Sequence, residues 1–126
     1  MRHPSLEVAA LTIALVWAGW WVFFGVASGI GEGLSPLGVL VHAAVPGLVF
    51  LAAVLASAVW PRVGAWVLLA EGAVVLIGYP IMVHGTRLFN VATIAFVLAT
   101  MAGPPTLAGA LLLASRRGGP AAAAPS

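Results

Sequence analysis

The chain has 126 residues, of which 63% are hydrophobic and 6% are charged, and its mean hydropathy is +1.16. Soluble domains carry roughly a quarter charged residues, so this composition excludes a soluble globular fold. It also excludes a disordered chain, which needs low hydrophobicity and high charge, and a disulfide scaffold, because cysteine is absent. The five arginines are scattered, which excludes nucleic-acid binding. The lipid bilayer is therefore the predicted partner.

Four apolar segments are long enough to cross a hydrocarbon core about 30 Å thick, which takes about 20 helical residues. The predicted spans are 6–28, 37–60, 65–84 and 91–114. Their apolar runs are continuous rather than alternating, which favours helices over a membrane barrel. Short loops join them, so we predict an all-α integral membrane four-helix bundle with up-down-up-down topology. It forms one transmembrane domain over 1–117, followed by a disordered Gly/Pro/Ala tail over 118–126.

The first predicted span has a second interpretation, as a cleaved signal peptide. Val26-Ala27-Ser28 before Gly29 resembles a cleavage site. The apolar stretch is, however, longer than a signal-peptide core of about 7–15 residues, and it is bulky because it contains Trp17, Trp20 and Trp21. We expect a retained span, and cleavage stays the alternative.

The positions of the arginines predict the orientation of the bundle. Four spans place the N-terminus, the loop between the second and third spans, and the C-terminus on one side. That side carries Arg2, Arg62, Arg116 and Arg117, and the other side carries only Arg87. Because cytoplasmic loops are enriched in Lys and Arg, we predict a multi-pass protein of the inner (plasma) membrane with both termini in the cytoplasm.

Small residues recur at four-residue spacing in three of the predicted spans, a pattern typical of close helix packing in membranes. We expect these residues to pack inside the bundle, and a dedicated dimerisation face is the alternative. The set comprises Ala10, Ala14, Ala18, Gly25 and Gly29 in the first span, Ala43, Gly47, Ala53 and Ser57 in the second, and Ala95, Ala99 and Gly103 in the fourth.

Prolines interrupt three predicted spans, at Pro46, at Pro80 and at the pair Pro104–Pro105. Each proline lacks an N–H and leaves the carbonyl four residues earlier without its helical donor. The freed carbonyls belong to His42, Leu76, Thr100 and Met101. A neighbouring helix or a hydroxyl group commonly supplies the missing donor in membranes. We expect packing kinks, and the alternative is a broken helix that lines a polar site, as in transporters.

Glu71 and His42 are the two residues inside the predicted spans that can ionise at useful pH and that are predicted to lie at some depth. Such residues are functional candidates, because a buried charge costs about 2.5–3.5 kcal/mol on insertion scales. At 1.5 Å per residue, Glu71 lies about 9 Å from the cytoplasmic edge, level with Thr12 and Thr106. We expect a polar layer in which a protonated Glu71 hydrogen-bonds to these threonines. The alternative is a proton relay through Glu71.

His42 is predicted about 7–8 Å from the outer edge, near the depth of Tyr79 and Thr93. We expect a neutral imidazole that hydrogen-bonds to Tyr79 or to a freed carbonyl, and the alternatives are proton transfer or ligation of a metal or haem. Zinc needs three or four converging ligands, and a bis-histidine haem needs His84 at the same depth. His84 is predicted at the membrane edge, so we expect no metal site and no cofactor.

Catalysis is not expected, because the sequence has no nucleophile at a recognisable spacing from a base, no paired carboxylates and no HExxH motif. We therefore predict a protein without enzymatic activity that is structural or accessory to a membrane complex, with other membrane-protein subunits as partners. The alternative is a proton-coupled small-solute carrier or pore that uses Glu71, His42 and the proline breaks.

Three segments resemble a family of small prokaryotic four-span membrane proteins classed as a domain of unknown function. They read His42-Ala-Ala-Val-Pro46-Gly47, Trp60-Pro61-Arg62-Val63-Gly64 and Gly103-Pro104-Pro105-Thr106-Leu107-Ala108-Gly109-Ala110-Leu111-Leu112. The resemblance covers residues 5–117, and the positions that fit the family pattern are His42, Pro46, Trp60, Gly64, Pro105 and Gly109. The family usually has an acidic residue near the end of its first helix, where this chain reads Trp21-Val22-Phe23-Phe24-Gly25. The resemblance implies four spans and no particular activity.

Overall fold

The computed structural model describes residues 3–87 and 89–117, and within these ranges it is built from helices and short loops. Four long helical segments cover Pro4–Gly31, Pro36–Val59, Pro61–Val83 and Val91–Arg116. Each is long and apolar enough to cross a membrane. The predicted number and order of long apolar helices are confirmed, and the predicted tail 118–126 lies outside the described residues.

Two of the four spans are continuous α-helices and two are divided. The helices in chain order are α1 (Pro4–Gly31), α2 (Pro36–Ala43), α3 (Val49–Val59), α4 (Pro61–Val83), α5 (Val91–Val97) and α6 (Gly103–Arg117). The second span is α2 and α3, joined by a kink over Ala44–Leu48, and the fourth is α5 and α6, joined by the π-helical turn Leu98–Ala102.

The divisions lie where the sequence places prolines. Pro46 is inside the kink Ala44–Leu48, where Val45 has an extended backbone (φ −120°, ψ 111°) and the Val45–Pro46 bond is cis. Pro104 lies just after the π-helical turn Leu98–Ala102. Pro80 differs, because it lies inside α4, which continues to Val83 without a division. The predicted interruptions are thus confirmed in the second and fourth spans and not in the third.

The turn between the second and third spans is a single residue, Trp60 (φ −125°, ψ 76°). The sequence predicted a loop over 61–64, but α4 already begins at Pro61. Proline suits the first position of a helix, because its φ is preset and its missing N–H needs no partner there. Gly64 then packs so closely on Ser57 that a Cβ at Gly64 would overlap the serine. This glycine permits the tight hairpin.

The four spans form a ring in which each packs against its neighbours in sequence and the first packs against the fourth. α1 contacts α2, α3 and α6, and α4 contacts α3 and α6. The backbone N–H of His3 donates a 3.0 Å hydrogen bond to the Ser115 carbonyl, so the two described ends of the chain meet. This arrangement confirms the up-down-up-down bundle.

The predicted small-residue faces of the first and second spans are confirmed. Ala10, Ala14 and Ala18 have no exposed surface, and the other predicted members of these two spans are also buried. They are Gly25, Gly29, Ala43, Gly47, Ala53 and Ser57. Backbones approach closely there, since a Cβ at Gly47 would lie 2.7 Å from both N and Cα of Val22.

The predicted small-residue face of the fourth span was wrong. Ala95 and Ala99 are exposed and Gly103 is half-buried. The buried residues of this span are instead Ala102, Pro105, Ala108, Gly109, Leu112 and Ser115. A π-helical turn bonds residue i to i+5 and so holds one more residue than an α-helical turn. The turn at Leu98–Ala102 therefore changes which face α6 presents to the bundle.

Candidate functional site

A tryptophan in the middle of α1 connects three of the four spans. Trp17 is 5% exposed, and its ring stacks on Phe50 of α3 with centroids 4.1 Å apart and planes at 24°. Its Nε1–H donates a 3.1 Å hydrogen bond to the Thr100 carbonyl. That carbonyl lies four residues before Pro104, which has no N–H to offer it. A neighbouring helix thus supplies the missing donor, as expected for a tolerated break.

A groove of about 590 Å³ runs beside this hydrogen bond, between the first and fourth spans. It is lined by Thr12, Ile13, Val16, Trp17, Trp20, Ala99, Thr100 and Pro104. Thr12 is exposed, and the Thr100 hydroxyl is occupied by a 2.8 Å hydrogen bond to the Phe96 carbonyl. This groove is therefore apolar and aromatic, with the Thr12 hydroxyl as its principal free polar group.

Glu71 lies in a different groove, of about 340 Å³, between α3 and α4. The groove is lined by Val49, Phe50, Val67, Ala70, Glu71, Val74 and Val75. The Glu71 side chain is half-buried, and its Oε2 atom is buried without a hydrogen-bond partner in the described part of the chain. Because α4 begins at Pro61, Glu71 lies about 15 Å along the helix, deeper than the 9 Å predicted for a helix starting at Ala65.

The structure does not bring the predicted polar layer together. Thr106 packs against Gly72, where an added Cβ would overlap its hydroxyl oxygen, and Thr12 lines the groove of the first and fourth spans. No hydrogen bond joins Glu71 to either threonine among the described residues. Consecutive residues point about 100° apart around a helix of 3.6 residues per turn. Gly72 therefore faces α6 while Glu71 faces α3. The equal predicted depth of Glu71 and Thr106 did not fix the direction in which the Glu71 side chain points.

His42 lies near the loop that follows α1 rather than in a polar interior. Its Nε2 is 4.0 Å from Oε1 of Glu32, in the loop after α1, and both side chains are partly exposed. Tyr79 is half-buried and forms no hydrogen bond within the described ranges, so the predicted His42–Tyr79 bond is absent there.

The carbonyl that Pro46 frees is accommodated by glycine. A Cβ built on Gly25 would lie 3.2 Å from the His42 carbonyl oxygen and 2.7 Å from Cα of Ala43. The absence of a side chain at Gly25 thus leaves room for the second span at its break. Pro80 lines a small groove near the end of α4 with Ile81, His84 and Phe89, where the His84 and Phe89 rings meet edge to face at 4.8 Å.

The structure therefore separates the candidate residues into three places. Glu71 occupies the α3–α4 groove, Thr12 and Pro104 occupy the α1–α6 side, and His42 lies beside the loop that follows α1. Within residues 3–87 and 89–117, no group of three or more His, Asp or Glu could hold a metal ion. Sequence reasoning missed the role of Trp17, although the freed Thr100 carbonyl and the tryptophan-rich first span were both visible.

Comparisons of the chain with protein-family models, curated proteins and solved structures find no match. The functional conclusion therefore rests on the geometry of the bundle, and the resemblance to the four-span family stays a prediction.

Proposed function

We propose that the protein is a multi-pass protein of the inner (plasma) membrane, with both termini in the cytoplasm. The outer surface of the bundle favours insertion into a membrane. It carries large exposed apolar side chains such as Val16 (68% exposed), Phe23 (64%) and Ile77 (63%). An apolar surface of this extent is unusual for a protein in water and is what contact with lipid tails requires. The arginine distribution supports the orientation.

Cysteine labelling tests the orientation, because the chain contains no cysteine of its own. Leu34→Cys places a thiol in the loop after α1, and Ser5→Cys places one at the start of α1. A membrane-impermeant maleimide should label Leu34→Cys in intact cells and Ser5→Cys only after the membrane is permeabilised. The reverse pattern would contradict cytoplasmic termini.

The function that the geometry supports best is an accessory, non-catalytic role, in which the α3–α4 groove receives a transmembrane helix of another membrane protein. The observation that carries this proposal is the buried Oε2 of Glu71, which has no hydrogen-bond partner in the described chain. A polar group without a partner is costly in an apolar medium. Polar side chains commonly join membrane helices by hydrogen bonds across their interface, so we expect the partner helix to carry a donor or acceptor for this carboxyl group.

The stability of the bundle does not explain why a glutamate stands at position 71. Its interior is closed by Trp17, Phe50 and small residues, and Glu71 contributes no hydrogen bond to it. The carboxyl group therefore adds a desolvation cost without a stabilising contact in its own chain. The same groove is apolar apart from this group, which suits a helix with one polar side chain among apolar ones.

Photo-crosslinking in native membranes tests the docking surface. A photoreactive residue at Val74, which lines the groove and is 70% exposed, is compared with one at Val16, which is 68% exposed on the first span. We expect Val74, and not Val16, to crosslink to one defined integral membrane protein. Glu71→Leu should weaken that partner's binding about 3- to 30-fold, the range of an interhelical hydrogen bond in membranes. Equal crosslinking at both positions, insensitive to Glu71→Leu, would exclude this docking surface.

A proton-coupled carrier or pore is the second candidate. It is favoured by the position of Glu71 near the middle of α4 in a groove that is open to the outside of the bundle. Glu71→Gln separates the two functions, since glutamine keeps hydrogen-bonding groups but does not titrate. In liposomes with a pH gradient, a carrier requires flux that Glu71→Gln abolishes. Flux at the protein-free rate for both proteins would exclude it, whereas the accessory role predicts that Glu71→Gln still binds the partner.

A further inference from the structure

One end of the bundle carries a cavity that involves none of the residues discussed above as intramembrane candidates. It has a volume of about 290 Å³ and is lined by Val59, Trp60, Pro61, Arg62, Val63 and Arg116. The end of α3, the start of α4 and the end of α6 meet there. Two arginines from different spans therefore line one space, together with Trp60.

The positive charge of this cavity is not neutralised within the described part of the chain. Among the described residues, the pair of oppositely charged side-chain types within 4.0 Å is His42 and Glu32, which lies at the opposite end of the bundle from the cavity. Glu7, in the first turn of α1, is at the same end as the cavity but does not line it. The Nε atom of Arg116 is buried and has no hydrogen-bond partner among the described residues. Burial of such a donor is costly unless an acceptor reaches it.

The start of α4 adds further donors to the same space. Trp60 precedes the helix and provides no side-chain cap, and Pro61 occupies its first position. The N–H of Gly64 bonds to the Trp60 carbonyl at 2.8 Å, which leaves the N–H groups of Arg62 and Val63 at the open end of a 23-residue helix. Helix N-termini attract anions through such N–H groups and the helix dipole.

We propose that this cavity, here called the arginine cavity, binds the phosphate group of an anionic phospholipid. Arginine binds phosphate through paired N–H donors, and basic pockets between transmembrane helices on the cytoplasmic side bind anionic lipid headgroups. Trp60 suits the headgroup level, where tryptophan is enriched. The site lies at the end of the bundle, so the acyl chains of the lipid extend along the apolar surface. This inference rests on the proposed membrane insertion and is independent of the role of Glu71.

The test measures lipid binding to the purified full-length protein in neutral detergent micelles by native mass spectrometry. The probes are phosphatidylglycerol, phosphatidylcholine, glycerol 3-phosphate and inorganic phosphate. The test variants are Arg62→Gln, Arg116→Gln and their combination, and the matched control is Arg87→Gln, which removes one arginine at the opposite end. We expect the first phosphatidylglycerol molecule to bind the wild type and Arg87→Gln with equal affinity. Its affinity should be about 5-fold lower for Arg62→Gln and for Arg116→Gln, and about 30-fold lower for the variant that combines them.

Three outcomes overturn the proposal. Equal phosphatidylglycerol affinity for the double variant and Arg87→Gln excludes the arginine cavity as the site. Equal affinity of the wild type for phosphatidylcholine and phosphatidylglycerol excludes selection of an anionic headgroup. Displacement of the lipid by glycerol 3-phosphate or inorganic phosphate, dependent on the same arginines, assigns the cavity to soluble phosphates.

Two controls protect this interpretation. The Arg62→Lys/Arg116→Lys variant keeps both positive charges. We expect it to bind phosphatidylglycerol more tightly than the Arg62→Gln/Arg116→Gln variant. This difference would show that the glutamine variant lost affinity through the loss of charge. Flotation of every variant with vesicles reports membrane insertion separately. If all variants float but none differs in lipid binding, the arginine cavity is excluded while the proposed insertion stands.

Discussion

The proline breaks of the second and fourth spans both meet α1, but α1 accommodates them in different ways. At Pro46 the second span lies backbone to backbone against α1, at Gly25 and Gly47, and no side chain separates them. At Pro104 the freed Thr100 carbonyl accepts a hydrogen bond from the Trp17 indole instead. One break is thus held by close packing and the other by a directed donor. The two should respond to different substitutions, and the following predictions test that difference in order of decreasing effect.

Trp17→Ala should have the largest effect, because it removes the stacking on Phe50 and the donor to Thr100 together. Truncation of a large buried aromatic side chain typically costs about 3–5 kcal/mol of unfolding free energy. The measurement is reversible unfolding in mixed micelles by titration with sodium dodecyl sulfate. Trp20→Ala is the control, since Trp20 is 57% exposed on the same helix, and its stability should change little. Equal losses in the two variants would show that Trp17 does not connect the spans.

Gly47→Ala tests the break held by packing. An added Cβ would lie 2.7 Å from the backbone N and Cα of Val22, so the two helices must separate, and overpacking typically costs about 1–3 kcal/mol. Gly19→Ala is the matched control, because a Cβ there meets nothing within 4 Å. Alanine is the better helix former by about 0.5–1 kcal/mol, so this control should be unchanged or more stable. The unfolding free energies of both variants are measured by the same micelle titration. A Gly47→Ala variant more stable than the wild type would contradict the close approach of the backbones at Gly47 and Val22.

Trp17→Phe keeps an aromatic ring for Phe50 but removes the donor N–H together with part of the buried ring volume. We expect the lost hydrogen bond to contribute about 0.6–1.7 kcal/mol to the decrease in stability, the size of interhelical hydrogen bonds measured in a membrane protein. Pro104→Ala restores a backbone N–H that can bond to the Thr100 carbonyl. In that background, Trp17→Phe should cost less, and the double-mutant cycle measures the difference. An unchanged cost would mean that the indole N–H does not compensate for the proline.

Glu71→Leu should have the smallest effect and the opposite sign. Because Oε2 has no hydrogen-bond partner in the described bundle, removing the carboxyl group should leave the purified protein equally stable or slightly more stable. Glu71→Gln should be nearly neutral. A loss of more than about 2 kcal/mol for Glu71→Leu would show that the carboxyl group holds this bundle together rather than serving an outside partner.

The number of spans and the sites of the breaks could be predicted from the sequence, because length, hydropathy and proline act locally. The packing faces of the first two spans also followed from the spacing of their small residues. The face of the fourth span could not be predicted, since the π-helical turn at Leu98–Ala102 changes the register between Ala99 and Ala108. That turn is visible only once the helix is built.

The candidate site was predicted less well than the fold. Depth counting singled out Glu71, whose Oε2 is buried without a hydrogen-bond partner in the described chain, but it could not give the direction of the side chain. One residue of offset separates Glu71 from Gly72, and that offset decides whether a side chain faces α3 or Thr106 on α6. The Trp17–Thr100 bond joins residues 83 positions apart, so the sequence shows the freed carbonyl and the tryptophan separately but does not show that they meet.

Every proposal above depends on the four long helices being embedded in lipid. Alkaline carbonate extraction of native membranes, followed by flotation on a density gradient, tests this most directly. We expect the full-length chain to stay with the floating membranes and to leave them only with detergent. Release into the carbonate supernatant, or recovery as a monodisperse species in buffer without amphiphile, would contradict the account.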